Sequence, residues 1–292
     1  MKSSTFFRCM LPVLVILNCI PAIAQNTFYF SDEVIATGFR QAGELKADLS
    51  VKPQVKNDDG LLNTPPFPTS MNFSPSVSLA YAVTKHMLVT ASFNSLIHKQ
   101  PYDGTKDIGY IGTGGYYSGS SVEAGVGYFH CFKKRYVIEA AAGYCNGSLS
   151  SHEFSALDYN YAGHSSEYYD YSVYYDRAFF NTAASFKSDY VQFSVGVRLT
   201  ATNYHDFTVS NSYLTYIFEE DAPKSNSYLT TNTFFMLQPF IGIQVGPKHF
   251  NFNFQTGVNS QLGTRSLLGS YATPFYMTVG LGCDLQLLKS SI

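Results

Sequence analysis

Histidines that adjoin carboxyl side chains are the residues of this chain best suited by type to hydrolytic chemistry. His205-Asp206 combines a general base with a carboxylate, and Asp58-Asp59 offers paired carboxylates. Adjacent residues on a strand point to opposite faces, so His205 and Asp206 would not line one cleft unless the backbone bends sharply. The polarity of surface loops explains these residues more simply.

Two further histidines adjoin serines, as a Ser–His hydrolase would require. His152 follows Ser150-Ser151, and His164 precedes Ser165-Ser166. Ser–His catalysis needs an oriented nucleophile and base, and no nucleophile motif surrounds either pair. The seven histidines also lack metal-ligand spacing. The sequence therefore predicts no enzyme, with no catalytic, metal-binding or cofactor-binding residue, and a membrane-embedded hydrolase is the least favoured alternative.

Tyrosines concentrate between residues 159 and 175, among Ser, Asp and Glu. A tyrosine offers a flat apolar face and a hydroxyl at low entropic cost, which suits contacts with sugars or proteins. The simpler explanation is a soluble loop that packs over the rest of the fold. The candidates for contact with a surface protein or glycan are Tyr168, Tyr169, Tyr171, Tyr174 and Tyr175.

Alternation of apolar and polar residues with a period of two recurs in ten segments and predicts the elements that position these side chains. In the clearest segment, Val191, Phe193 and Val195 alternate with Gln192 and Ser194. Each segment is close to the 9–11 residues of a membrane-crossing strand.

The connections between these segments alternate between short and long. An antiparallel meander places alternate connections at opposite ends, and outer-membrane barrels have short periplasmic turns and long external loops. The sequence therefore predicts an antiparallel up-and-down transmembrane β-barrel of about ten strands, with periplasmic termini. The short turns are predicted at 84–86, 132–135, 187–189 and 246–248, and the long loops at 53–75, 96–119, 150–176, 203–233 and 261–273.

A soluble sandwich or barrel would show the same alternation with its apolar residues inward. Three observations favour lipid on the apolar face. The opposite face is rich in Gly, Ser, Asn and Gln, and charged residues make up only 14% of the chain, against about 25% in typical soluble domains. Aromatic residues also lie near the short turns, where an interfacial girdle is expected: Tyr128, Tyr136, Phe186, Phe250 and Phe252.

Charged residues of both signs lie on the polar strand faces, and these would point into the lumen. Buried charges are usually paired, so a salt-bridged interior is expected, with a narrow channel for small solutes as the alternative. Barrel closure pairs the first strand with the last, which brings Lys46 near the strand of Asp284. The predicted lumen-facing residues are Glu44, Lys46, Asp48, Glu123, Glu139, Arg198 and Asp284.

The N-terminus has the features of a secretory signal peptide. Lys2 and Arg8 precede an apolar run, and Ala22-Ile23-Ala24 is a small-x-small cleavage site. We expect residues 1–24 to be the signal peptide and residues 25–292 to be the barrel domain. Lipidation at Cys19 is the alternative to cleavage after Ala24.

The mature chain resembles a loosely defined family of outer-membrane β-barrel proteins from Bacteroidota, mostly of unknown function. The matching stretches are 42–44, 78–86, 122–128 and 142–144. The resemblance implies a fold and a bacterial outer-membrane location, and it implies no activity. The expected role is structural or surface-interacting through long external loops, with outer-membrane lipid and a surface protein or glycan as partners. A net charge of −2 without a basic block argues against nucleic acid, and the sequence leaves the oligomeric state open.

Overall fold

The computed structural model describes residues 36–56, 70–100, 112–157, 165–209, 233–247, 249–262 and 275–287. All regular elements in these ranges are β-strands. No helix in the described part of the chain is long and apolar enough to span a membrane. The strands are β1 (Glu44–Lys56), β2 (Ser70–Ala82), β3 (Met87–Gln100), β4 (Gly112–Phe132), β5 (Tyr136–Leu157), β6 (Ser165–Lys187), β7 (Val191–Val209), β8 (Phe234–Val245), β9 (Asn251–Val258), β10 (Ser260–Leu262) and β11 (Phe275–Gln286).

The strands form one closed antiparallel barrel. From β1 to β8 each strand pairs with the next along the chain, and β11 pairs with both β1 and β9. Asn259 separates β9 from β10, and both segments pair with β8, so together they make one barrel strand. The barrel thus has ten strands, which confirms the predicted fold class. At the seam between β1 and β11, Lys46 lies opposite Asp284, as barrel closure requires.

The outer surface of the barrel is apolar and the inner surface is polar. On β4, Val122 and Val126 are 59% and 62% exposed, whereas Glu123 between them is 3% exposed. On β7, Val195 is 47% exposed and its neighbour Ser194 is buried. A soluble protein buries its apolar strand face, so this inverted distribution fits contact with hydrocarbon. The soluble alternative is therefore wrong.

Exposed aromatic residues mark one edge of this apolar belt, next to the short turns. Tyr128, Tyr136, Phe250 and Phe252 are each close to half exposed or more. Phe186 lies beside Tyr136, with 5.3 Å between the ring centroids. Amphipathic rings favour the boundary between hydrocarbon and headgroups, so this edge is one membrane interface.

The short turns lie where the sequence places them, but the strands are longer than predicted. Strands β4 to β7 have 21, 22, 23 and 19 residues, whereas a membrane crossing needs about 9–11. The predicted loops 53–75, 96–119, 150–176, 203–233 and 261–273 are therefore partly wrong, because each begins in strand residues. The strands continue past the lipid belt, where a polar outer face removes the alternation that marks a membrane strand.

Candidate functional site

An ion pair crosses the lumen between strands that are not neighbours in the sheet. Arg198 on β7 holds Glu123 on β4 through both carboxylate oxygens, with 3.2 Å between Nη1 and Oε1. The guanidinium also lies over the Phe179 ring, 4.4 Å from its centroid. Arg198 is fully buried and Glu123 nearly so. The pair therefore closes the lumen at this level.

A second arginine fills the lumen nearer the end with the long strands. Arg177 donates from Nε to Thr202 Oγ1 over 3.1 Å, and its guanidinium lies 4.9 Å from the Tyr175 ring centroid. The Tyr175 and Tyr204 rings are 5.9 Å apart, and both are buried. Tyr175 thus points inward, which makes its prediction as a loop-contact residue wrong, because it occupies an inward position of β6.

Residues 36–42, here called the N-terminal plug, enter the barrel from the end with the short turns. The Thr37 backbone amide and hydroxyl donate to Glu139 over 2.8 and 2.5 Å, and the Gly38 amide donates over 3.3 Å. Phe39 is 2% exposed and packs edge-on against Phe129, at 5.8 Å between ring centroids. The buried Glu139 carboxylate is therefore satisfied by the plug.

Two side chains on opposite walls hold the deep end of the plug. The Ala36 carbonyl accepts hydrogen bonds of 3.1 Å from Lys46 Nζ and from Gln192 Nε2. Gly38 has a φ of +59° and lies against the Gln192 side chain, where a Cβ atom would clash. Glycine is thus favoured at this point of the plug, mainly by the positive φ angle. Nearby, Asn253 donates to the buried Asp48.

The lumen around these groups is packed. One cavity of ≈10 Å³ lies beside Glu123 and Glu139, and one of ≈20 Å³ lies beside Lys46 and Phe240. A cavity of this size holds about one water molecule. The described barrel therefore has a filled interior at these levels.

A larger cavity of ≈550 Å³ opens at the barrel end that carries the short turns. Lys187 pairs with Asp284 over 3.0 Å, and Arg40 donates from Nη2 to the Lys187 carbonyl over 2.9 Å. Glu44 accepts from the Arg40 backbone amide over 2.9 Å. Lys46 lies on the strand next to Asp284, as predicted, yet the ion partner of Asp284 is Lys187.

A polar cluster covers the outer face of β5, β6 and β7 beyond the lipid belt. His205 contacts Asp206 over 2.8 Å through Nδ1 and Asp176 over 3.3 Å through Nε2. Asn146 donates to Asp176 over 2.9 Å, and the Tyr174 ring stacks on His205 with 6.2 Å between centroids. This cluster faces away from the lumen.

The sequence predicts that His205 and Asp206 share a face only where the backbone bends sharply, and the structure has such a bend at this point. The register between β6 and β7 shifts between Ser172 and Tyr174, and Asp206 has a φ of +50°. Such a β-bulge redirects a side chain, here so that adjacent residues share one face.

The other predicted site residues are dispersed. His152 pairs with Asp170 on the exposed outer face, while the Ser150 hydroxyl contacts that of Ser118 at 2.6 Å. Ser150 and His152 are therefore not arranged as a catalytic pair in this structure. Tyr174 is half exposed and faces outward. Tyr168, Tyr169 and Tyr171 belong to β6, but their side chains lie outside the described residues, as do Asp58, Asp59 and His164. In the described ranges, no three His, Cys, Asp or Glu side chains are placed to hold a metal.

The plug is the feature that sequence reasoning missed. It is too short to show a periodicity, and its contacts are with residues more than 100 positions away, such as Glu139. The one available signal is Gly38 beside Phe39, which predicts a turn and nothing more.

No protein-family model and no curated protein matches the chain. Several solved structures, in contrast, are similar to the chain. The outer membrane protease OmpT from Escherichia coli aligns with 87% of this chain and 100% of its own, at 9% identity and a TM-score of 0.45. OprG from Pseudomonas aeruginosa aligns with 85% and 99%, at 11% identity and a TM-score of 0.32. LpxR from Salmonella typhimurium aligns with 82% and 99%, at 7% identity and a TM-score of 0.32.

The chain is an outer-membrane-type β-barrel, as its own closed antiparallel sheet and apolar outer face show. One expectation from the sequence needs correction. The similar structures include a protease, so barrels of this kind include enzymes. The prediction from the sequence, which excluded an enzyme, is therefore wrong.

Proposed function

We propose that this barrel resides in a bacterial outer membrane and presents the extended ends of β4 to β7 to a partner outside the cell. The partner is a glycan or a glycan-bearing protein. The observation that carries the proposal is the length of β4 to β7, which contain about twice the residues that a membrane crossing needs.

The chemistry of the extension supports this role. Tyr174, His205 and Asp176 lie together on its outer face, and all three side chains are at least partly exposed. Aromatic rings beside hydrogen-bonding groups are the usual composition of protein surfaces that bind sugars and proteins. A polar surface at this height lies beyond hydrocarbon and is available to a partner.

The packed lumen supports presentation over the channel alternative. Arg198 and Glu123 close one level, and the N-terminal plug fills part of the lumen between that level and the cavity at the end with the short turns. Planar-bilayer recording tests this point, because steady unitary currents from purified protein would favour a channel.

Removal of the extension tests the proposal directly. Leu149 and Val173 are directly opposed on β5 and β6. Deleting residues 150–172 and joining Leu149 to Val173 through Asn-Gly therefore leaves a short hairpin. We expect cells that display the full barrel to be retained on immobilised mucin, and cells with the shortened barrel to be retained several-fold less. Tyr174→Ala should weaken retention, and Val126→Ala in the lipid belt should not. Equal retention of full and shortened barrels would contradict the proposal.

The orientation follows from the same proposal. Both termini are periplasmic, and the turn that contains Lys134 is periplasmic as well. A cysteine at Ser165 should react with an impermeant reagent on intact cells, and a cysteine at Lys134 should not. Labelling at Lys134 alone would reverse the orientation. The signal peptide at 1–24 lies outside the described residues and, like the Bacteroidota origin, stays a prediction.

A further inference from the structure

Two neighbouring short turns at one edge of the barrel are rich in cationic residues. The turn between β2 and β3 contains Lys85 and His86, and the turn between β4 and β5 contains Lys133, Lys134 and Arg135. All of these residues are exposed, and neither turn contains a carboxylate. The residues of these two turns, here called the cationic patch, therefore carry a strongly positive charge, although the net charge of the chain is −2.

Ring contacts join the two turns into one surface. His86 stacks on Tyr128 and on His130, at 5.3 and 5.5 Å between centroids. His130 meets Phe132 edge-on at 4.3 Å. The His86 ring nitrogen Nδ1 also lies 3.2 Å from the Phe129 carbonyl oxygen. These contacts hold the turns at a fixed distance from each other.

The patch directly continues the lipid-facing surface. Tyr128 and Phe132 are 53% and 44% exposed and stand on the same outward face of β4 as Val126. The cationic side chains are thus at the level where lipid headgroups meet the aromatic edge of the belt. A phospholipid with an anionic headgroup matches this surface, because its acyl chains contact the rings while its headgroup contacts the ammonium groups.

The backbone of the second turn is unfavourable for its residues. Lys133 and Lys134 have φ angles of +50° and +59°, and the Arg135 amide closes the turn on the Phe132 carbonyl over 3.1 Å. Asn-Gly is the sequence that suits two consecutive positive φ angles. Lysine at both positions keeps two ammonium groups at the interface despite the backbone conformation. Strained residues of this kind concentrate at functional sites.

We propose that Lys85, His86, His130, Lys133, Lys134 and Arg135 form a binding surface for the anionic headgroups of phospholipids in the leaflet that borders the short turns. The surface rests on the proposed membrane location. The present proposal goes beyond that location because it names the class of lipid that the barrel prefers.

Spin-labelled lipids measure this selectivity in the purified, full-length barrel. The protein is reconstituted in phosphatidylcholine vesicles with trace spin-labelled phosphatidylglycerol or phosphatidylcholine, and the motionally restricted fraction of each label is determined. We expect phosphatidylglycerol to be preferred about threefold or more, and the preference to fall as salt screens the charges.

Lys133→Asn with Lys134→Gly suits the turn and removes two charges, so the hairpin folds while the preference drops toward one. Lys133→Arg with Lys134→Arg keeps the charge and should keep the preference. An unchanged preference in the Asn-Gly variant would overturn the proposal. So would full competition by inorganic phosphate, which would indicate a site for a free anion. Failure to insert into vesicles would instead count against the membrane location itself, which separates the two proposals.

Discussion

The cost of breaking the Arg198–Glu123 pair measures whether the lumen is packed or hydrated. Glu123→Gln keeps the shape of the side chain and removes its charge, so the fully buried guanidinium loses its counter-ion. Removing one partner of a buried ion pair costs about 3–5 kcal/mol. In a water-filled channel, solvent would hydrate the guanidinium, and the loss would be about 0–1 kcal/mol, as for surface pairs.

The chain has no tryptophan, so far-UV circular dichroism and the electrophoretic band shift are suitable probes of unfolding in urea with lipid vesicles. We expect the free energy of unfolding to fall by about 3–5 kcal/mol in Glu123→Gln. The double variant Glu123→Leu with Arg198→Met removes both charges and should recover most of that loss. Asp170→Asn, in an exposed pair with His152, is the matched control and should change little. A loss below about 1 kcal/mol in Glu123→Gln would refute the packed lumen and restore the channel hypothesis.

Three other predictions follow from the two faces and the turns. Val195→Trp should lower the free energy of unfolding in urea, measured in lipid, by less than about 1 kcal/mol, because hydrocarbon rearranges around the larger side chain. Ser194→Trp, in the packed interior, should lower it by about 1–3 kcal/mol. Equal losses would contradict the assignment of the two faces. Phe39→Ala should cost about 3–5 kcal/mol if the plug belongs to the cooperative core, and calorimetry that shows no change in unfolding temperature would show that the plug is not docked. Lys133→Asn with Lys134→Gly should raise the unfolding free energy by about 1 kcal/mol, and a fall would disprove backbone strain in that turn.

The sequence predicts the membrane-spanning part of the barrel because lipid on one face and polar side chains on the other impose a period of two. Val191 to Val195 shows this period, and the structure places those residues as expected. The same rule explains the failure at the outer ends of β5 and β6. Beyond the lipid belt both faces of a strand contact water or polar groups. Backbone pairing continues there, but the sequence no longer alternates between apolar and polar residues, so the strand cannot be recognised from its sequence.

The interior contacts were less predictable. Arg198 and Glu123 are recognisable as lumen residues, but their pairing depends on which strands face each other across a closed barrel. Lys46 and Asp284 were correctly placed on adjoining strands because closure fixes the seam. The partners of Lys46 and Asp284 depend on side-chain length and on the contacts of the plug, and no local sequence pattern predicts either.

The anchoring of the plug on two separate strands has a consequence for the order of folding. Thr37 binds Glu139 on β5, and Ala36 accepts a hydrogen bond from Gln192 on β7, across sequence separations of 102 and 156 residues. The plug can make both contacts at once only when β5, β6 and β7 stand side by side. Contacts of such long range form late, after the local hairpins. The plug is thus a reporter of a finished barrel: amide hydrogens of residues 36–42 should gain protection last during refolding, and protease sensitivity of this segment should identify barrels whose wall is incomplete.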